Sequence, residues 1–126
     1  MSYLLFLDDV RTVDKDVSFP SEHSYLKRIT AKNYDEFVDI LTRHGLPEVA
    51  SFDFDLAVEH YRNINNPNFN YDTCKEKTGY HCLMYLIKFI CQGGHPMIRM
   101  YCHSANLKGR AHINWMIQDF KNREEK

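Results

Sequence analysis

The chain has no paired-cysteine spacing, no surplus of one charge and no hydrophobic run long enough to enter a bilayer, and each absence removes a class of function. Its four cysteines, Cys74, Cys82, Cys91 and Cys102, form no C-x-x-C pair and no matched cysteine and histidine spacing, which argues against a zinc site. Three of the four fall in apolar segments, where a reduced thiol behaves as a small buried hydrophobe. Sixteen basic against seventeen acidic side chains leave a net charge of -1, so nothing in the overall charge points to nonspecific binding of nucleic acid or of a membrane surface. No apolar run approaches the roughly 20 residues of a membrane span. The opening MSYLLFLDDVR sets a short apolar stretch before two acids without a basic region ahead of it, which is not the pattern of a signal peptide. The expectation is a cytoplasmic protein with no membrane partner and no extended nucleic-acid surface. Internal repeats and low-complexity tracts are absent as well.

What is present suits one globular domain. At 126 residues the chain fits one core, 1–126, and is short for two. Apolar residues at 44% and charged residues at 26% are an ordinary folded balance rather than a disordered one. YLLFL, 3–7, is a continuous apolar run closed by Asp8 and Asp9, as expected of a strand buried on both faces. Residues 10–22 show no period and read as a loop with a short helical turn at most. SYLKRIT, 24–30, alternates weakly, as an outer strand does. Asn33 with Glu36 three residues later has the capping-box pattern, and Phe37, Ile40 and Leu41 make one apolar stripe. Gly45 and Pro47 end that helix. EVASF, 48–52, is the next strand, followed by a loop at about 58–77 rich in asparagine and aromatics; loops of that length usually have a function of their own. Thr78 caps a second helix reaching about Ile90, with Cys82, Leu83, Leu86, Ile87 and Ile90 inward. MIRMYC, 97–102, is a fourth strand, and Ile113, Met116, Ile117 and Phe120 mark one face of a last helix. Trp115 and the other aromatics read as core or lid. The order predicts an α/β protein with a small, mostly parallel sheet of about four strands.

In such sheets ligands gather outside the carboxyl ends of the strands, near the point where strand order reverses. Polar clusters fall at three of these ends: Asp8 and Asp9 with Arg11; Asp53 and Asp55; His103, Ser104 and Asn106 with Gly109 and Arg110. Each has an ordinary reading of its own. Acids after a strand serve as turn residues or caps, His103 can sit satisfied at the edge of a core, Ser104 and Asn106 can cap the last helix, and Arg110 can lie exposed. Taken together they suit phosphate chemistry. Three or four carboxylates, from Asp8, Asp9, Asp53 and Asp55, can hold Mg²⁺ or Mn²⁺ through oxygen. A glycine-containing loop that opens a helix presents backbone N–H groups to an anion, and arginine adds a bidentate clamp. These features make Arg11, Ser104, Asn106, Gly109 and Arg110 the candidates for holding phosphate. His103 is the natural proton carrier near neutral pH, with Asp53 and Asp55 as its catalytic neighbours.

The segments LLFLDDVRT, VASFDFDLA, TGYHCLMYL and CHSANLKGR, in this order, resemble the cyclic-phosphate processing receiver domain family. The resemblance runs from about Leu4 to Ile117, with gaps at 12–30 and 58–77. It implies a three-layer, receiver-like (flavodoxin-like) fold in which the acids after the first and third strands and the histidine after the fourth form the site. Carried over by position, that site is Asp8, Asp9, Asp53, Asp55, His103, Ser104, Asn106 and Arg110. One departure stands out, because members commonly carry histidine between the two acids and this chain has Phe54.

Two neighbouring chemistries fit less well. A phosphoacceptor receiver needs a lysine after a fifth strand, and no such strand is evident. A haloacid-dehalogenase-type phosphatase needs a later lysine and a later acid pair, which the 22 residues after Ser104 do not supply. The expected function is a metal-assisted phosphoesterase acting on a cyclic phosphate or cyclic nucleotide. The alternatives are a module that sequesters such a ligand without hydrolysing it, and a protein-interaction module built on the 58–77 loop.

Overall fold

The computed structural model describes residues 2–56, 77–104 and 106–124. The strands are β1 (Tyr3–Leu7), β2 (Lys27–Ala31), β3 (Val49–Phe52) and β4 (Arg99–Cys102), and the helices are α1 (Tyr34–His44), α2 (Gly79–Gly93) and α3 (Leu107–Glu124). All pairings are parallel and the strand order is β2-β1-β3-β4. This is a receiver-like α/β arrangement, and its order reverses between β1 and β3.

The chain leaves β1 toward one edge of the sheet and returns from β2 toward the other. Right-handed crossovers made in opposite directions lie on opposite faces. On one face α1 packs beside α2 and α2 beside α3, and Leu5 and Leu7 of β1 join Phe37, Leu41, Leu83, Leu86, Ile90, Ile113 and Phe120 in the main core. On the other face the 8–26 connection takes the place of a helix. It contains only the short 3-10 turn Ser21–His23. Leu4, Phe6 and Val49 are covered there by Leu26, Val13, Val17, Phe19 and Tyr101. Alternation along β1 therefore splits its five buried side chains between two different coverings.

Local signals set the element ends. The Asn33 side chain accepts from Glu36 N–H at 2.9 Å, and the Glu36 carboxylate reaches back to Lys32 N–H at 3.1 Å. Gly45 closes α1 and lies in the left-handed region at φ 78°. At the start of α2 a histidine plays the part usually taken by glutamate in a capping box, because Thr78 N–H donates to His81 Nδ1 at 3.0 Å. Gly79 lets this helix end press against the strand: a Cβ there would meet the Asp53 carbonyl oxygen at 1.7 Å.

Two expectations from periodicity need correction. Cys91 is exposed, whereas Cys82 is buried and Cys102 partly so, because Cys91 follows the buried Ile90 and turns onto the outer side of α2. Trp115, expected in the core or in a lid, is 61% exposed and therefore not core, because α3 turns Ile113 and Phe120 to the sheet and residue 115 falls opposite. The remaining thiol, Cys74, and the 58–77 loop up to residue 76 lie outside the described residues.

Candidate functional site

Three strand ends and their following turns meet at the carboxyl edge of β1, β3 and β4. Asp8 is the anchor. It is 1% exposed, and its Oδ1 accepts from the backbone N–H groups of Val10 and Arg11 at 2.9 and 2.8 Å. Its Oδ2 accepts from His103 Nε2 at 3.0 Å and from Arg11 Nη1 at 3.3 Å. Burial pushes the Asp8 carboxyl up, but the hydrogen bond from His103 and those from the Arg11 and Val10 N–H groups outweigh it and hold the group below the usual aspartate range.

Asp53 has the same charge and comparable burial, yet it moves the other way. Burial, and then the negative charge of Asp8, push it up to about 7, against the pull of Arg11, of a hydrogen bond from Ser104 and of Phe54 N–H. Arg11 lies across both acids, with Nη1 at 3.8 Å from Asp53 Oδ1 and donating to the His103 carbonyl at 3.3 Å. Asp8, Asp9 and Asp53 each bring one carboxylate oxygen within 4.8 Å of the others. The donors are all hard oxygens, the kind that Mg²⁺ and Mn²⁺ take. One arginine among three carboxylates leaves negative charge, and after burial the charge of Asp8 is the second cause that raises Asp53. On both counts the residues fit a divalent cation.

Asp55 stands apart from this group. It is buried and accepts from Asn106 Nδ2 at 3.2 Å. Asn106 in turn takes Gly109 N–H on its Oδ1 at 3.0 Å and gives its own N–H to Ser104 Oγ at 3.1 Å. Asn106 thus caps α3 and ties it to the loop after β3. The Gly109 amide is spent on that cap, and its missing side chain makes room for Phe54, whose ring a Cβ would meet at 2.2 Å. Phe54 itself belongs to the core on the helix side. The residue that departs from the family pattern therefore changes packing behind the acids rather than the group of three carboxylates. Arg110 is exposed in the first turn of α3.

His103 is enclosed as well. Its side chain is 7% exposed, its ring stacks on Phe6 with centroids 4.6 Å apart and planes within 5°, and both ring nitrogens are engaged. Nε2 meets Asp8, and Nδ1 meets Ser51 Oγ at 2.7 Å. Ser51 is a site residue that the sequence reading passed over, since a serine inside an apolar strand looks ordinary. The signal was its place two residues before Asp53, on the same side of β3.

A family model for the cyclic-phosphate processing receiver domain matches residues 3–119, most of the chain. No curated protein and no solved structure gives a significant match. Among the described residues no helix is long and apolar enough to cross a membrane.

Proposed function

Because this chain belongs to the cyclic-phosphate processing receiver domain family, we propose that it is a metal-assisted phosphoesterase acting on a cyclic phosphate or cyclic nucleotide. The observation that carries the reading is the convergence of Asp8, Asp9 and Asp53 within 4.8 Å at the strand-order switch. Those three residues would hold Mg²⁺ or Mn²⁺, and such an ion supplies polarisation of a phosphoryl oxygen and activation of water.

The protein's own groups do the rest. Arg11 is part-exposed, with a side chain 32% accessible, and its remaining N–H groups face a bound phosphate while Nη1 stays with Asp8. Arg110 adds positive charge from the opening turn of α3, whose N-terminal end favours an anion. Ser104 orients the Asp53 carboxylate. His103 keeps its Nε2 donor on Asp8 across the 3.0 Å contact and so holds that carboxylate in place rather than reaching the ligand, since neither ring nitrogen is open. Asp55 holds α3 in place through Asn106.

That enclosure of His103 favours one second reading, a module that binds the same ligand and does not turn it over. Product release from a panel of 2′,3′- and 3′,5′-cyclic nucleotides, with Mg²⁺ or Mn²⁺ and with binding followed by calorimetry, separates the two. Metal-dependent release that Asp9→Asn abolishes is the expected result. Tight binding without product in either metal would establish the sequestering module instead.

A further inference from the structure

The Ser51 hydroxyl has no part in the chemistry above, and it lies on a buried strand whose other residues, Val49, Ala50 and Phe52, are apolar. Ser51 is 1% exposed, paired in register with Phe6 on one side and Tyr101 on the other. A buried hydroxyl without a partner is costly, and this one spends its hydrogen bond on His103 Nδ1, 52 residues away, at 2.7 Å.

We propose that Ser51 is a positioning residue that holds the His103 imidazole by its Nδ1 edge and, through it, the aim of the Asp8 carboxylate. This rests on the reading of Asp8, Asp9 and Asp53 as a divalent-cation site.

Stacking on Phe6 fixes the plane of the imidazole but not which edge faces which way. A ring flipped in that plane would turn Cδ2 to Ser51 and Cε1 to Asp8, and Phe6 would be indifferent. An ionised Asp8 only accepts, so the proton belongs on Nε2, and in the neutral ring Nδ1 then accepts from Ser51 Oγ. Asp8 thereby sets the tautomer, and Ser51 holds the opposite edge of the ring so that its donor stays on Asp8 Oδ2, while Val10 and Arg11 N–H hold Oδ1. Partners placed behind a ligating carboxylate in this way typically carry about 10- to 100-fold in metal affinity.

The test compares wild type, Ser51→Ala and Ser51→Thr in two measurements: ¹⁵N shifts of the His103 ring nitrogens in metal-free protein, and Mn²⁺ affinity from water-proton relaxation. Wild type should show a protonated Nε2 and an accepting Nδ1. Ser51→Ala should show the His103 Nδ1 shift moved toward that of an imine nitrogen without a hydrogen bond, and Mn²⁺ binding weakened about 10- to 100-fold. Ser51→Thr, which keeps the hydroxyl, should restore both. Shifts in Ser51→Ala that coincide with wild type would overturn the proposal. So would a proton on Nδ1 in the wild-type protein, an outcome readable even if a variant does not fold. Wild type that binds no Mn²⁺ would remove the cation reading alone, because the ring-nitrogen shifts decide the role of Ser51 independently.

Discussion

On the face of the sheet covered by α1, α2 and α3, the strands present Leu5, Leu7, Ala50, Phe52 and Met100, and Phe54 continues the same surface beyond β3. On the face covered by the 8–26 connection, Leu4, Phe6 and Val49 are followed toward the carboxyl edge by Ser51, Tyr101 and His103. The difference follows from what covers each side. Helices satisfy their own backbone and offer apolar stripes, so a polar group under them would lack a partner. An irregular segment carries polar side chains of its own, and here it supplies some, as where His23 Nε2 meets the Tyr101 hydroxyl at 3.0 Å. Polar chemistry is therefore tolerated on the loop-covered side, and Asp8 and His103 lie where that side reaches the carboxyl edge.

This contrast predicts that substitutions on the loop side act on chemistry and those on the helix side act on stability. The largest effect is expected for His103→Gln, which disturbs the donor behind the Asp8 carboxylate: turnover at limiting Mn²⁺ should fall about 10- to 100-fold, with affinity for the cyclic nucleotide changed far less. Steady-state kinetics and calorimetry on the same preparation check it, and equal losses in both would erase the contrast.

Next in size is a pH effect on folding in metal-free buffer. Asp53 is raised to about 7 from an ordinary 3.8, so between those values the folded state holds a proton that the unfolded state has lost. Stability should fall as pH rises through that window, by at most about 1.4 kcal/mol per pH unit, and level off above it. Urea titrations from pH 4 to 8 should show this slope in wild type and a flatter one in Asp53→Asn. Asp8, held low, contributes in the opposite sense. Its stabilisation is present above the ordinary aspartate value and is lost only as pH falls below it, outside the Asp53 window.

On the helix side, Gly109→Ala should destabilise by about 1–3 kcal/mol, because its Cβ enters the Phe54 ring. The loss should shrink in a Phe54→Leu background, a non-additivity of more than about 0.5 kcal/mol in a double-mutant cycle. Additive losses would mean that the two residues do not share this space. The smallest expected effect on folding is that of Arg110→Ala. With Arg110 exposed, stability should stay within about 0.5 kcal/mol, while calorimetry records weaker ligand binding.

Much of this molecule was legible locally. Apolar runs closed by acids, the Asn33 cap and the Gly45 and Pro47 stop placed every strand and helix of the sheet layer within a few residues, because strand and helix signals are carried by neighbours in the chain. That acids from the ends of β1 and β3 gather was foreseeable too, once strands of a parallel sheet were taken to end together. Which acids meet was not. Asp53 and Asp55 look equivalent as a pair, yet only tertiary structure turned the first to Asp8 and gave the second to Asn106. The same holds for the hydrogen bond that His103 gives to Asp8 and the one it accepts from Ser51, across 95 and 52 residues. Strand order and register create these contacts, and both depend on the packing of the whole sheet rather than on any local pattern.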